Sequence, residues 1–102
     1  MKLTEKNVRQ ALATVIDPEL QIDIVSLGLI YNVKIEDDTK VVVRMTLTTP
    51  GCPLAPVIDQ MVRESLFGLV EDPEENVAID LTFDPPWVPD MMAEEARLEL
   101  GL

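Results

Sequence analysis

Cys52 is the only cysteine of this 102-residue chain, and its neighbours are stiff: Pro50 and Gly51 precede it and Pro53 follows it. A strand-like alternation ends just before it and a helical pattern begins just after it. The free N–H groups and the dipole of a helix start stabilise an anion. A thiol so placed tends toward a reactive, metal-binding thiolate. Thr46, Thr48 and Thr49 add hydroxyls close by. The plain alternative is a buried cysteine acting as a small hydrophobe. A second group, Asp17, Glu19 and Asp23, surrounds an Asp17-Pro18-Glu19 motif. Carboxylates serve as hard metal ligands or as general bases. Read alone, these three are a helix stop followed by solvated charge, and spacing does not bring them to Cys52. The segment 84–90 holds three prolines and the only tryptophan, Trp87. It reads either as a rigid recognition loop or, preferably, as a cap on an open end of the core.

What is missing narrows the chemistry. The chain has no histidine, which removes the Cys–His pair of thiol hydrolases and imidazole as a metal ligand. One cysteine cannot complete a Cys₄ site. No Gly-rich phosphate loop is present. An autonomous hydrolase or a self-contained metalloprotein is therefore not expected, whereas a thiolate shared between two chains remains open. The single cysteine also excludes an intramolecular disulfide. Met1 leads into a polar run over residues 2–10 rather than a signal peptide, and no apolar stretch approaches the roughly 20 residues that span a bilayer. These features point to a soluble protein of the cytoplasm. With 8 Lys and Arg against 19 Asp and Glu, the formal net charge is −11. Nucleic acids and anionic membranes are bound mainly through Lys and Arg, so neither is an expected partner. The acidity reads first as a solvated surface, and second as complementarity to a basic partner.

The elements that must position Cys52 follow from periodicity. Val8, Ala11, Leu12, Val15 and Ile16 recur at helical spacing, which predicts a helix over 4–16 with Thr4 as N-cap and Asp17-Pro18 as its stop. Residues 19–28 read as an ordered loop with many apolar residues. Strict alternation predicts strands over 29–36 and 41–48, joined as an antiparallel hairpin by the polar turn 37–40. A long helix is predicted over 54–69, with Pro56 in its first turn. A charged loop over 71–76 leads to a third strand over 77–83. Asp90 is expected to cap a last helix reaching Leu100, with Gly101 after it. The order is α-β-β-α-β-α. Each strand has one apolar face, so we expect a single domain over 1–102, a two-layer α/β (α+β) sandwich whose helices cover one face of a three-stranded sheet.

Four motifs in this order resemble one family. They are Ile16-Asp17-Pro18-Glu19, Ser26-Leu27-Gly28-Leu29-Ile30, Met45-Thr46-Leu47-Thr48-Thr49-Pro50-Gly51-Cys52-Pro53 and Leu81-Thr82-Phe83-Asp84-Pro85-Pro86-Trp87. Together they are similar to the iron–sulfur cluster assembly family of SufT-like and PaaD-like proteins. The resemblance covers nearly the whole chain. It implies a fold related to the NifU C-terminal domain and an accessory role in maturing iron–sulfur proteins, as a helper or carrier and not a turnover enzyme. It maps the family's reactive cysteine onto Cys52, its acidic motif onto Asp17, Pro18 and Glu19, and its threonines onto Thr46 and Thr49. It further implies that Asp17, Glu19 or Asp23 lies near Cys52. The Cys-x-x-Cys pair of NifU-type scaffolds is absent, so the expected cargo is a transient cluster, with Cys52 a metal ligand shared between chains and no cofactor bound stably. The implied partners are the assembly machinery, client apoproteins and a second copy of this chain. Two other readings stay open: a small enzyme with Cys52 as nucleophile and Asp17, Glu19 or Asp23 as base, and a pure adaptor subunit of a multicomponent enzyme.

Overall fold

The computed structural model describes residues 3–48 and 53–101. Helix α1 spans Glu5–Leu12, and strands β1 (Ile30–Glu36) and β2 (Lys40–Met45) follow. Helices α2 (Ala55–Ser65) and α3 (Pro73–Asn76) then lead to β3 (Val77–Leu81). A 3₁₀ turn over Pro89–Met91 and helix α4 (Glu94–Leu100) complete the order. The three strands form one sheet in the order β1-β2-β3. β1 runs antiparallel to β2, with Val33 opposite Val43 and Ile35 opposite Val41. β3 runs parallel to β2, with Val41, Val43 and Met45 opposite Val77, Ile79 and Leu81. This is the expected mixed α/β architecture.

The alternation of side chains decides which face is covered. Val33, Val41, Val43, Met45 and Val77 are buried, while Asn32, Lys34, Arg44 and Asp80 on the other face are exposed. The buried face meets Val8 and Leu12 of α1 and Ile58 and Val62 of α2 in one core. Aromatic side chains contribute little: aliphatic residues fill this core, as the composition requires. Among the described residues no helix is long and apolar enough to cross a membrane.

Local chemistry accounts for the elements. Thr4 caps α1, its Oγ1 accepting the Asn7 N–H at 3.1 Å. In the hairpin turn Asp37 and Asp38 both take positive φ, 53° and 59°, a mirror-image turn that matches the strand twist. Gly101 ends α4 in the left-handed conformation.

Several boundaries differ from the sequence-based expectation. α1 stops at Leu12, four residues early. Val15 lies in the core beyond the helix, where its C=O accepts the Ile24 N–H at 3.0 Å. Ile16, expected on the buried stripe, is 43% exposed and forms a bridge with Asp23. Asp17-Pro18 therefore lies beyond the helix and does not end it. α2 ends at Ser65, because the chain turns through Gly68 (φ 98°) into a bridge between Phe67 and Val70. The charged loop contains α3, which Asp72 caps through Oδ1 and the Glu74 N–H at 3.0 Å. Asp90 sits inside the 3₁₀ turn and caps nothing. The Ala93 N–H is held by the Ser26 C=O at 2.8 Å, so the chain is extended there and α4 starts only at Glu94.

Gly28 is fixed by two independent demands. Its φ is +79°, and a Cβ at this position would collide with the Met91 carbonyl. We expect Gly28→Ala to lower the unfolding free energy by about 2 kcal/mol or more. Urea unfolding at equal m-value checks this, and a change within error of zero contradicts the close approach.

Candidate functional site

β2 and β3 are parallel and α2 joins them, so the connection over 46–54 leaves the carboxyl end of β2 and enters the N-terminus of α2. Cys52 and Thr49 belong to this connection but lie outside the described residues. Among the described residues no side chain caps α2: Leu54 occupies the N-cap position without a side-chain hydrogen bond, Pro56 sits in the first turn, and no acidic residue is there. Pro56 has no N–H, so Ala55 and Val57 carry the N–H groups of this first turn, at the positive end of the helix dipole.

Three loops meet at this end of the sheet, and backbone bonds tie them together. The Val15 C=O accepts from Ile24, the Ile24 C=O from Leu29 at 3.1 Å, and the Leu29 C=O from Thr46 at 2.9 Å. This relay connects the acidic loop after α1 to the end of β2. On the other side, the Met45 C=O accepts the Thr82 N–H at 2.9 Å. The loop after β3 is fastened in turn. Trp87 Nε1 donates to the Leu27 C=O at 2.7 Å, and the Tyr31 hydroxyl donates to the Pro85 C=O at 2.8 Å. Trp87 packs partly buried on the core, as a cap on its open end.

The sequence-derived candidates occupy different roles. Asp17 is only 5% exposed, and its Oδ1 accepts the N–H groups of Glu19 at 2.7 Å and Leu20 at 2.9 Å. Asp23 Oδ2 accepts the Ser26 N–H at 2.9 Å. These two carboxylates shape the loop that carries them. Glu19 is exposed beside Asp17. Thr46 is fully buried between Met45 and Leu47, with its hydroxyl 3.5 Å from the Leu47 C=O. Among the described residues, no three Asp, Glu, His or Cys side chains gather as a metal cage. The closeness of the acidic group to Cys52 involves a residue outside the described set, so the expectation stands as one. Sequence reasoning passed over Gly28, Tyr31 and Arg63. Arg63 bonds Asp59 at 2.7 Å and also the Pro73 and Val77 carbonyls, which locks α2 to the start of β3. Tyr31 sits where β1 shifts register against β2, between Ile30 opposite Met45 and Asn32 opposite Arg44, and its hydroxyl bond to Pro85 lies at the surface.

The family profile described as "Iron-sulfur cluster assembly protein" matches residues 5–79. The chain belongs to this family of iron–sulfur assembly auxiliary proteins. Within the family, it is 50% identical over 101 residues to an Fe-S protein maturation auxiliary factor of Porphyromonas gingivalis, covering 96% of this chain and 91% of that one. A conserved hypothetical protein of Thermotoga maritima has the same fold at a TM-score of 0.81 and 46% identity, over 99% and 97% of the two chains. A domain of unknown function from Bacillus anthracis superposes at a TM-score of 0.86 with 35% identity, over 96% and 92%.

The bonds of Asp17 make its removal a stability question first. Asp17→Ala leaves two partly buried N–H groups without their acceptor. It should lower stability by about 1–3 kcal/mol in thermal or urea unfolding. An unchanged midpoint would show that the loop does not depend on this carboxylate.

Proposed function

We infer that this chain is an accessory factor in iron–sulfur protein maturation, one that assists cluster assembly or delivery to client apoproteins through the thiolate of Cys52. It is a carrier or helper and not a turnover enzyme. The observation that carries the reading is similarity at 50% identity, over nearly its whole length, to a protein named as an Fe-S maturation auxiliary factor. Charge and geometry support it. Cys52 belongs to a nine-residue connection, 46–54, that runs into a helix start which no described side chain caps, a setting that favours a thiolate. One cysteine and no histidine supply one soft ligand, whereas a cluster takes about four. The remaining ligands must come from elsewhere, which suits cargo held briefly. In this reading the chain is one cytoplasmic domain over 1–102. Asp17, Glu19, Asp23, Thr46 and Thr49 build the surroundings of Cys52, and a second copy of the chain supplies a second thiolate.

Two measurements test this. Cys52→Ser is nearly isosteric, so its stability should change by no more than about 0.5 kcal/mol, while complementation of a strain lacking the protein is lost. Full complementation by a folded Cys52→Ser protein overturns the thiolate and leaves a pure adaptor. Anaerobic reconstitution with iron and sulfide should shift the sedimenting species from monomer to dimer. A monomer in both conditions removes the shared-cluster arrangement.

A further inference from the structure

β3 is an edge strand with a neighbour on one side only. A single bond reveals the orientation of its free side. The Thr82 N–H donates to the Met45 C=O. In a parallel ladder a residue directs its N–H and C=O to the same side, and successive residues alternate. Ala78, Asp80 and Thr82 therefore bond toward β2, and Val77, Ile79 and Leu81 turn their backbone groups away from it. The Val77 C=O is taken by Arg63 Nη1. Among the described residues, nothing pairs with the outward backbone groups of Ile79 and Leu81. An open row of this kind is a template for another strand.

The same two residues line a cleft of about 380 Å³ with Met45, Leu47, Ala55 and Ile58. Their side chains share the inward face with Val77. Val77 is buried but Leu81 is 44% exposed, so the cleft opens along the free edge. A strand added beside β3 would continue the pleat and send alternate side chains toward this apolar cleft. Its other side chains would emerge on the open face beside Asp80, whose side chain is 60% exposed. Arg44 approaches Asp80 only to 3.9 Å in an exposed pair, which is worth little. Among the described residues no Lys or Arg lines the cleft, and Asp59 stands at it in an ion pair with Arg63 at 2.7 Å. A second copy would bring another net −11 to the same edge, whereas a basic segment is attracted.

We propose that the outer edge of β3 is a strand-addition site for an extended segment of a partner protein that alternates apolar with basic residues, seating the apolar ones in the cleft beside Ile79 and Leu81. The main-chain bonds give affinity and the cleft gives selectivity. The proposal rests on the edge of β3 and not on Cys52 chemistry, so its failure leaves the accessory role untouched.

The probe is the peptide Lys-Val-Lys-Ile-Lys-Val-Lys added to the full chain, with a control of the same composition in which the apolar residues are contiguous. Amide hydrogen exchange is read residue by residue. The alternating peptide should slow exchange at Ile79 and Leu81 by about tenfold or more, and the control should not. Leu81→Pro removes one outward N–H and no ladder bond, and should weaken binding by about tenfold. Leu81→Lys keeps the N–H but places a charge at the cleft, and should also weaken binding. Protection of Val43 confirms that both variants keep the sheet. The proposal is overturned by any of four results: no binding of the alternating peptide, equal binding of both peptides, binding without protection at Ile79 and Leu81, or protection that rises with protein concentration alone, which would assign the edge to a second copy.

Discussion

Two consecutive residues at the end of β2 hold the working end of this protein together. Met45 directs its carbonyl to Thr82 on one side, and Thr46 directs its N–H to Leu29 on the other. Each bond is ordinary in strength, about 1 kcal/mol net. Their opposed directions matter more, because a central strand must bond both ways. One strand end thereby fixes the start of β1, the exit of β3 and, through Leu29 and Ile24, the acidic loop after α1. The fully buried Met45 and Thr46 shield these bonds from competing water.

Features that depend on neighbours in the chain were legible in the residues. Thr4 as a cap, the alternation of β2 and of β1 from Asn32 onward, and Gly101 behind α4 all follow from chemistry within a few positions, whereas the register shift between Ile30 and Asn32 does not. Features that depend on distant contacts were not. Val15 and Ile16 satisfy a helical pattern, yet the Val15 C=O is taken by the distant Ile24 N–H, and that partner overrides propensity. Gly28 looks like any loop glycine until Met91 is seen against it. Trp87 bonds a carbonyl 60 residues earlier in the chain, which no local window contains. At the candidate site, Cys52 stood out by type and setting. The roles of Asp17 and Asp23 as acceptors for their own loop's N–H groups became visible only in three dimensions.

The arrangement divides labour between rigid and chemical parts. The acidic residues that looked like candidate ligands are spent largely on backbone geometry. Cys52 carries the inferred chemistry with a helix start behind it and no histidine anywhere in the chain. With one cysteine and no histidine, any cluster this chain held would need ligands from elsewhere.

Trp87 is the only indole in the chain, and its N–H is bonded to the loop that carries Gly28. The protein therefore contains its own optical gauge. Indole emission responds to the loss of a hydrogen bond and to the entry of water, and here the sole source of that emission sits on the braced end and not on the distant hairpin tip. Whatever docks at that end or loosens it can be followed by the protein's own fluorescence, without a dye and without altering a residue.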